Sequence, residues 1–391
     1  MKIGIASPVE LQMLLDYLYV DDKKKMQSIL GLGGGGTQPT QMAIQFIKMG
    51  YRVSVFTLSQ NVFPGTYEIF NGKNLTIYVG HLRRGKKVVF DFQYKEIMLV
   101  KKMIQQDRPD VLSCHWTYEF SMAGILSETP TMITVRDWSP AILKLTKKPY
   151  RFMRMLMSFV VFLCGKKFIP NSPYIEGKLK FLKDKKLDVI PNGIDDSLLL
   201  RDAKVFSSPS ELKIISINNG FGDRKNLKPL IISFSKILKD YSGIKLYLIG
   251  DGFGVNEEAY AWCHENKLLA HIEFIGKINY DEVIKFLDGS DLMVHPAKEE
   301  SFGNILVEAM ARRVPLIAGE NSGAVPWVVG ESGVLIDIND EGVMYKSILN
   351  FINNTEQLKS YSKKGYENVC NRFRLSKIAL QYIENFKKIN E

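Results

Sequence analysis

Long apolar runs, paired cysteines and signal-peptide features are scarce or missing in this chain of 391 residues. The longest apolar stretch, 155–164, covers ten positions, whereas a membrane-spanning helix needs about 20. The four cysteines lie far apart, and the amino-terminal segment MKIGIASPVELQ lacks the basic-then-apolar pattern of a signal peptide. These absences exclude a spanning helix and argue against a secreted, disulfide-stabilised protein. We therefore expect a cytoplasmic protein.

Closely spaced metal ligands are also missing. The five histidines form no pair at ligand spacing, and no D-x-D triplet occurs anywhere in the sequence. Metal sites in proteins are built from such clusters of imidazole and carboxylate groups. We expect no bound metal and no other cofactor.

Positive charge is concentrated in the first half of the chain. The sequence has 52 basic and 42 acidic residues, and residues 1–200 hold 28 of the basic and 17 of the acidic ones. The whole positive excess therefore lies in this half, which predicts an anionic partner for it. Nucleic acid is not expected to be that partner, because no recognition motif accompanies the charge.

Short apolar segments alternate with helical patterns along the whole sequence, which is typical of α/β proteins with parallel sheets. The predicted strands are KIGIAS, YRVSVFTL, LTIYVG, DVLSCH, TMITVR, LDVIPN, LKIISI, IKLYLIG, HIEFIG, DLMVHP and VPLIAG. Strand patterning stops after Gly193 and resumes at Leu212, so we predict two Rossmann-like, doubly wound domains, 1–195 and 196–372. Ligands of such sheets bind beyond the carboxyl ends of the strands, so we expect a site in a cleft between the two domains.

A glycine run near the amino terminus, GLGGGGT, matches the dinucleotide pattern G-x-G-x-x-G at Gly31, Gly33 and Gly36. That fingerprint should follow the first strand directly, yet IGIAS ends more than twenty residues earlier, and no acidic residue closes the next strand. A nicotinamide enzyme is therefore not favoured. The run either brings free backbone N–H groups close to a phosphate or is a plain flexible loop.

The most informative segment is 295–319, HPAKEESFGNILVEAMARRVPLIAG. It places Glu300 in a loop and Glu308 inside a helix that should begin near Gly303, roughly 7 to 8 Å along the axis from that start. The free amides of a helix start suit phosphate, and a carboxylate farther along can accept hydrogen bonds from ribose hydroxyls. The alternative is a solvated Glu300 and a structural, salt-bridged Glu308.

Two cations follow the first strand of the second domain. Arg224 and Lys225 lie in the loop NNGFGDRKN, where they can neutralise a diphosphate leaving group without a metal. The alternative is ordinary surface charge beside a turn. In the first domain, His115 ends the strand DVLSCH, where it either contacts a substrate or is a hydrogen-bonded structural histidine.

Several segments in this order resemble retaining, GT-B-fold glycosyltransferases of family 4. They are the glycine run, PDVLSCHW, TVRDWSP, VIPNGID, the basic loop, YLIGDG and EESFGNILVEAMA. The resemblance covers nearly the whole chain, and its most specific part is the E-x7-E pair of Glu300 and Glu308. It implies a nucleotide-sugar donor held by the carboxyl-terminal domain, an acceptor held by the amino-terminal domain, and a last helix, 373–391, that packs back on the amino-terminal domain.

The resemblance also implies roles for single residues. Glu308 would bind the ribose and Glu300 the transferred sugar, while Lys225 and Arg224 would stabilise the departing diphosphate. Around the donor, the expected contacts are Gly303, Asn304, Ile305, Gly34 and Gly35, with Arg136 and Asp137 as further catalytic residues and His115 on the acceptor side. The sequence departs from the pattern in places: Arg136 stands where many relatives have histidine, Gly220 where an arginine is usual, and Arg313 where a glycine is common, and SGAVPW lacks a glutamate near Trp327.

The implied activity is sugar transfer to a hydroxyl of a saccharide or polyprenyl-linked acceptor in cell-surface polysaccharide or lipopolysaccharide synthesis. The basic loop RRGKK, 83–87, and the basic-flanked apolar helix 151–164 suggest an anionic membrane surface as a partner, and hence a peripheral location on its inner face. The alternative is that helix 151–164 is part of the hydrophobic core and contacts no membrane. The alternative functions are a GT-B epimerase or hydrolase and a non-catalytic nucleotide-sugar-binding protein.

Overall fold

A computed structural model describes residues 1–30, 36–85, 87–182 and 185–389. The chain divides into two compact units. The first, unit 1, contains residues 1–193 and 375–391; the second, unit 2, contains residues 194–374. Each unit is a Rossmann-like α/β domain, so the predicted fold class is confirmed.

Unit 1 is built on a sheet that has eight strands within the described residues. They are β1 (Lys2–Ala6), β2 (Arg52–Ser59), β3 (Tyr67–Asn71), β4 (Leu75–His81), β5 (Val111–His115), β6 (Thr131–Val135), β7 (Lys167–Pro170) and β8 (Lys186–Leu187). The order is β3-β4-β2-β1-β5-β6-β7-β8, and the pairs are parallel except β3 with β4. The central strands are buried on both faces because helices cover both sides of the sheet.

Unit 2 contains a parallel sheet with the order β11-β10-β9-β12-β13-β14. Its strands are β9 (Lys213–Ile217), β10 (Lys245–Ile249), β11 (Ile272–Gly276), β12 (Leu292–His295), β13 (Leu316–Gly319) and β14 (Val334–Ile336). The order changes direction between β9 and β12, which lie side by side although their last residues, Ile217 and His295, are 78 positions apart in sequence. The loops that follow these two strands therefore emerge next to each other at one edge of the sheet.

Helices connect the strands in both units. They are α1 (Val20–Gln27), α2 (Thr37–Lys48), α3 (Lys87–Phe90), α4 (Tyr94–Asp107), α5 (Glu119–Leu126), α6 (Ser139–Thr146), α7 (Pro149–Cys164), α8 (Pro173–Lys178), α9 (Leu227–Ile237), α10 (Glu258–Glu265), α11 (Tyr280–Asp288), α12 (Asn304–Ala311), α13 (Val325–Val329), α14 (Glu341–Asn353), α15 (Thr355–Arg372) and α16 (Leu375–Lys387). Short 3₁₀ turns cover Leu11–Tyr17, Asp196–Leu198, Pro209–Glu211 and Gly330–Ser332. Within the described residues, no helix combines the length and the apolar content that crossing a bilayer requires.

The carboxyl-terminal helix α16 belongs to the core of unit 1. Its apolar face, which includes Ile378 and Ile383, is buried, and the Phe386 ring packs edge-on against Phe46 of α2 at 5.7 Å. The hydroxyls of Tyr382 and Thr134 lie 3.1 Å apart, which ties α16 to the end of β6. The last helix therefore completes the hydrophobic core that the first 193 residues begin.

The predicted strand LDVIPN is largely wrong. Pairing stops at Leu187, and the chain continues beside β7 through single hydrogen bonds from the amides of Asp188 and Ile190. Pro191 has no N–H to donate, so a regular ladder cannot extend through it.

Candidate active site

An ion pair between Lys225 and Glu300 joins the loops that follow β9 and β12. Lys225 lies just before α9, and its ammonium group donates a hydrogen bond to Glu300 Oε1. Both side chains are largely buried. Because β9 and β12 are adjacent parallel strands, their carboxyl ends bring a cation and a carboxylate together that are 75 positions apart in sequence.

Two neighbours complete this cluster. His295, the last residue of β12, places Nε2 3.3 Å from the same Glu300 oxygen. Arg224 donates from its guanidinium to the Glu299 carbonyl at 3.2 Å, and its own carbonyl accepts from the Lys298 amide at 2.9 Å. The two loops are therefore joined by backbone as well as side-chain contacts, and three basic residues surround one carboxylate.

These surroundings set the charges in the cluster. Burial by itself would raise the pKa of Glu300, but Lys225, His295 and Arg224 outweigh it and hold that pKa well below its ordinary value. Burial lowers the pKa of the His295 imidazole, and the attraction of Glu300 offsets only part of that effect. At neutral pH we therefore assign an ionised Glu300 beside a neutral His295.

The helix predicted near Gly303 is present as α12, which runs from Asn304 to Ala311. Gly303 caps it with a φ of 86°, and a β-carbon at this position would meet Leu306 Cδ1 at 2.9 Å. Asn304 and the partly buried Ile305 begin the first turn, and the Leu306 amide donates back to the Gly303 carbonyl at 3.0 Å. This positive end of the helix is suited to a phosphate or another anion.

Glu308 lies on α12 about 6 Å along the axis from Asn304. Its side chain is buried and accepts a hydrogen bond from the Tyr280 hydroxyl at 3.2 Å. Burial raises the pKa of Glu308 to about 7, and the bond from Tyr280 offsets only part of that rise. Near pH 7, Glu308 is therefore partly protonated, whereas Glu300 is ionised.

The predicted residues of the amino-terminal half lie in unit 1, at the carboxyl ends of β5 and β6. Arg136 donates from Nε to His115 Nδ1 at 3.0 Å and from Nη1 to Asn192 Oδ1 at 2.5 Å. Asp137 accepts a hydrogen bond from the Tyr118 hydroxyl at 2.8 Å. His115 and Arg136 are both buried, which favours a structural contribution from this pair in the protein without substrate.

A guanidinium only donates hydrogen bonds, so His115 Nδ1 is an acceptor and the ring proton is on Nε2. Burial and the adjacent Arg136 charge hold the pKa of His115 well below its ordinary value. The imidazole is therefore neutral and fixed in one tautomer.

Gly34 and Gly35 lie outside the described residues. The sequence analysis did not predict two residues of the candidate site in unit 2. They are His295, which neighbours Glu300, and Tyr280, which neighbours Glu308. The position of His295 at the end of a strand, five residues before Glu300, was a usable signal. Tyr280 offered none, because it approaches Glu308 from a separate helix. Within the described ranges, no three histidine, cysteine or acidic side chains are grouped so as to hold a metal ion.

Family profiles account for most of the chain. The profile described as "Glycosyl transferases group 1" matches residues 201–368, and "Glycosyltransferase Family 4" matches residues 32–198. This chain belongs to the family 4 glycosyltransferases of the GT-B fold. The family resemblance seen in the sequence is therefore confirmed, and the chain is a glycosyltransferase.

Individual glycosyltransferases extend the comparison. The chain is 26% identical over 381 residues to N-acetyl-alpha-D-glucosaminyl L-malate synthase of Bacillus anthracis, covering 90% of this chain and 93% of that protein. It is 23% identical over 325 residues to the capsular polysaccharide biosynthesis glycosyltransferase CapM of Staphylococcus aureus, covering 78% and 84%. Among solved structures, Anabaena HepE in complex with UDP-glucose matches with a TM-score of 0.70 and 15% identity over 99% of both chains.

Proposed function

We propose that this glycosyltransferase moves a sugar from a nucleoside diphosphate to a hydroxyl of a saccharide or polyprenyl-linked acceptor, with retention at the anomeric carbon and without a metal. The observation that carries the proposal is the cluster of Lys225, Arg224, His295 and Glu300 at the carboxyl ends of β9 and β12. Cations and the start of α12 in the same unit are suited to a diphosphate, and Glu308 is suited to the hydroxyls of a ribose.

Departure of the diphosphate is the step that these residues assist. The bond from the anomeric carbon to the phosphate oxygen breaks, and its electron pair remains on the diphosphate. Lys225 and Arg224 stabilise the charge that develops there, as a metal ion does in other enzymes. The acceptor oxygen forms the new bond on the same face, and its proton passes to a phosphate oxygen of the leaving group. No protein nucleophile is needed.

Glu300 and Glu308 have different tasks in this scheme. Glu300 stays ionised because cations surround it, so it can accept hydrogen bonds from hydroxyls of the transferred sugar while it positions Lys225. Glu308 accepts from the two ribose hydroxyls, and Gly303, Asn304 and Ile305 offer backbone amides to the phosphates.

The acceptor is assigned to unit 1, where Asp137, Arg136 and His115 lie at strand ends. This unit has 31 basic and 17 acidic residues, an excess that favours an anionic acceptor such as a diphosphate-linked saccharide. The relative CapM is named for capsular polysaccharide biosynthesis, which supports a role in cell-surface polysaccharide or lipopolysaccharide synthesis. The name of the relative N-acetyl-alpha-D-glucosaminyl L-malate synthase supports a small carboxylate as a second acceptor class to test.

A thermal-shift panel of UDP, GDP and ADP, each alone and as its nucleotide sugar, tests the donor site. A ligand at a hundred times its Kd should add about 2.7 kcal/mol to the free energy of unfolding. We expect one base to be preferred, the shift to survive EDTA, and Glu308→Ala to abolish it. The matched control is Glu331→Ala, a carboxylate of unit 2 that is exposed in the structure.

Product analysis completes the test. NMR of the transferred sugar should show the same anomeric configuration as the donor. Failure of all three nucleotides to bind would contradict the donor site, and an inverted product would contradict retention. Complete consumption of donor in the absence of any acceptor would indicate a hydrolase or epimerase instead.

A further inference from the structure

Helix α7 of unit 1 is apolar on its outer face as well as on its inner face. The inner face is buried against unit 1 through Met153, Met157 and Val161. The outer face exposes Phe152, Leu156, Phe159, Val160 and Leu163. These five positions follow the spacing i, i+4, i+7, i+8 and i+11, so they form one stripe along the helix. We call this stripe the α7 strip.

Neighbouring aromatic side chains widen the α7 strip. Phe181 is half exposed and its ring lies 6.3 Å from that of Phe159, next to Trp138. Helix α3 packs against α7, and its Phe90 is 82% exposed. Helix α7 is 16 residues long, about 24 Å, so the surface is far longer than a single exposed side chain would create. Extended apolar surface of this kind marks an interaction site.

The segment of sequence that contains the α7 strip carries charge of one sign. Residues 138–175 contain seven basic residues and no aspartate or glutamate. Lys147 and Lys148 are exposed just before the helix, and Lys166 is exposed just after it. Lys185 adds a fourth cation, because its ammonium group donates to the Leu163 carbonyl at 3.2 Å. An apolar stripe therefore has cations at both ends.

Some basic residues of this region contact other parts of unit 1 and do not extend from the surface beside the α7 strip. Arg154 turns inward, where its guanidinium stacks 3.5 Å from the centre of the Tyr118 ring, and Lys167 donates to the Asn385 carbonyl. In the RRGKK loop, Arg83 forms ion pairs with Asp91 and Glu96. Arg83 is therefore already paired with two carboxylates of its own chain, and we do not include it in the docking surface.

We propose that the α7 strip docks on the surface of an anionic lipid bilayer, with the helix lying in the plane of the interface. The apolar side chains enter the boundary between headgroups and acyl chains, and the lysines at both ends contact anionic headgroups. A second copy of the chain does not suit this surface, because it would bring the exposed lysines at both ends of two α7 strips together. That the bilayer also carries the acceptor rests on the proposed function; the docking itself does not.

Co-sedimentation with vesicles of phosphatidylcholine, alone or mixed with phosphatidylglycerol, tests the docking. The charge variant is Lys147→Gln/Lys148→Gln/Lys166→Gln, and we expect each lysine removed to lower binding to the anionic vesicles about fivefold. The strip variant is Phe152→Ser/Leu163→Ser, which we expect to lower binding at least about tenfold. The matched control is Val205→Ser/Val255→Ser, two exposed apolar residues of unit 2, which should bind as the original chain does.

Several results would overturn the proposal. One is equal binding of the original chain to neutral and anionic vesicles. Another is binding that persists at about 1 M salt, where the Debye length is only about 3 Å. The third is unchanged binding of the strip variant. A dimer in solution that only the strip variant dissociates would assign the surface to a second copy. Nucleotide thermal shifts should be unchanged in all variants, so failed docking with intact donor binding leaves the proposed function standing.

Discussion

Lys225 and Glu300 form an ion pair at the carboxyl ends of the neighbouring strands β9 and β12. The pair keeps Glu300 ionised and holds the Lys225 ammonium group at one place in unit 2. The same contact therefore contributes both to the stability of the unit and to the positioning of a cation that the proposed chemistry needs.

Replacing Lys225 should reduce both turnover and stability. Lys225→Gln should lower turnover at saturating donor by about 100-fold to 1000-fold, the usual effect of losing one group that stabilises developing charge. It should also lower the free energy of unfolding by about 3 kcal/mol, because Glu300 stays buried without its cation. The control is Lys239→Gln, which removes an exposed lysine of unit 2 and should change neither quantity.

The double variant Lys225→Gln/Glu300→Gln makes the prediction sharper. Removing both charges should recover most of the lost stability, as measured by denaturant unfolding, while turnover stays low. Recovery of turnover together with stability would mean that the ion pair is only structural.

Much of the fold and part of the site follow from the sequence alone. The alternation of apolar segments identifies both sheets, and the start of α12 is predicted within one residue because Gly303 precedes a clear helical pattern. Strands β3, β7 and β14 were not predicted. Tertiary contacts also escape a sequence analysis: nothing in the pattern indicates that Arg83 binds Asp91 and Glu96 or that Tyr280 reaches Glu308.

Glu308 should make stability fall as the pH rises. Its pKa in the folded protein is about 7, above the ordinary value of 4.5, so the folded state binds the proton more tightly than the unfolded chain does. Its stabilising contribution is complete below about pH 4.5 and is lost as the pH rises through 7, a change of about 3 kcal/mol. Denaturant unfolding of the original chain and of Glu308→Gln should therefore diverge between about pH 5 and pH 8, with the variant the more stable at the higher pH. Parallel profiles would show that Glu308 titrates normally.

The same carboxyl group should make nucleotide affinity depend on pH. A ribose donates two hydrogen bonds more favourably to the ionised form, so binding should weaken below pH 7, by at most about tenfold for each pH unit. Calorimetric titration with the preferred nucleoside diphosphate measures this slope. Glu308→Gln is the matched control, because titration of the nucleotide's own phosphate affects both proteins equally. If the two proteins show the same slope, Glu308 does not bind the nucleotide.

Arg136 should fix the tautomer of His115. Nitrogen-resolved NMR of the imidazole should show the proton on Nε2 and no titration near the ordinary pKa, since burial and the Arg136 charge hold that pKa down.

In Arg136→Met, His115 Nδ1 and Asn192 Oδ1 both lose a donor, which should cost about 2 to 4 kcal/mol of unfolding free energy. The pKa of His115 should rise in the same variant, because the neighbouring cation is gone. Arg136→Lys keeps the charge and should keep the pKa low. A proton found on Nδ1 in the original chain would contradict this assignment, because a guanidinium cannot accept the hydrogen bond that Nδ1–H would then have to donate.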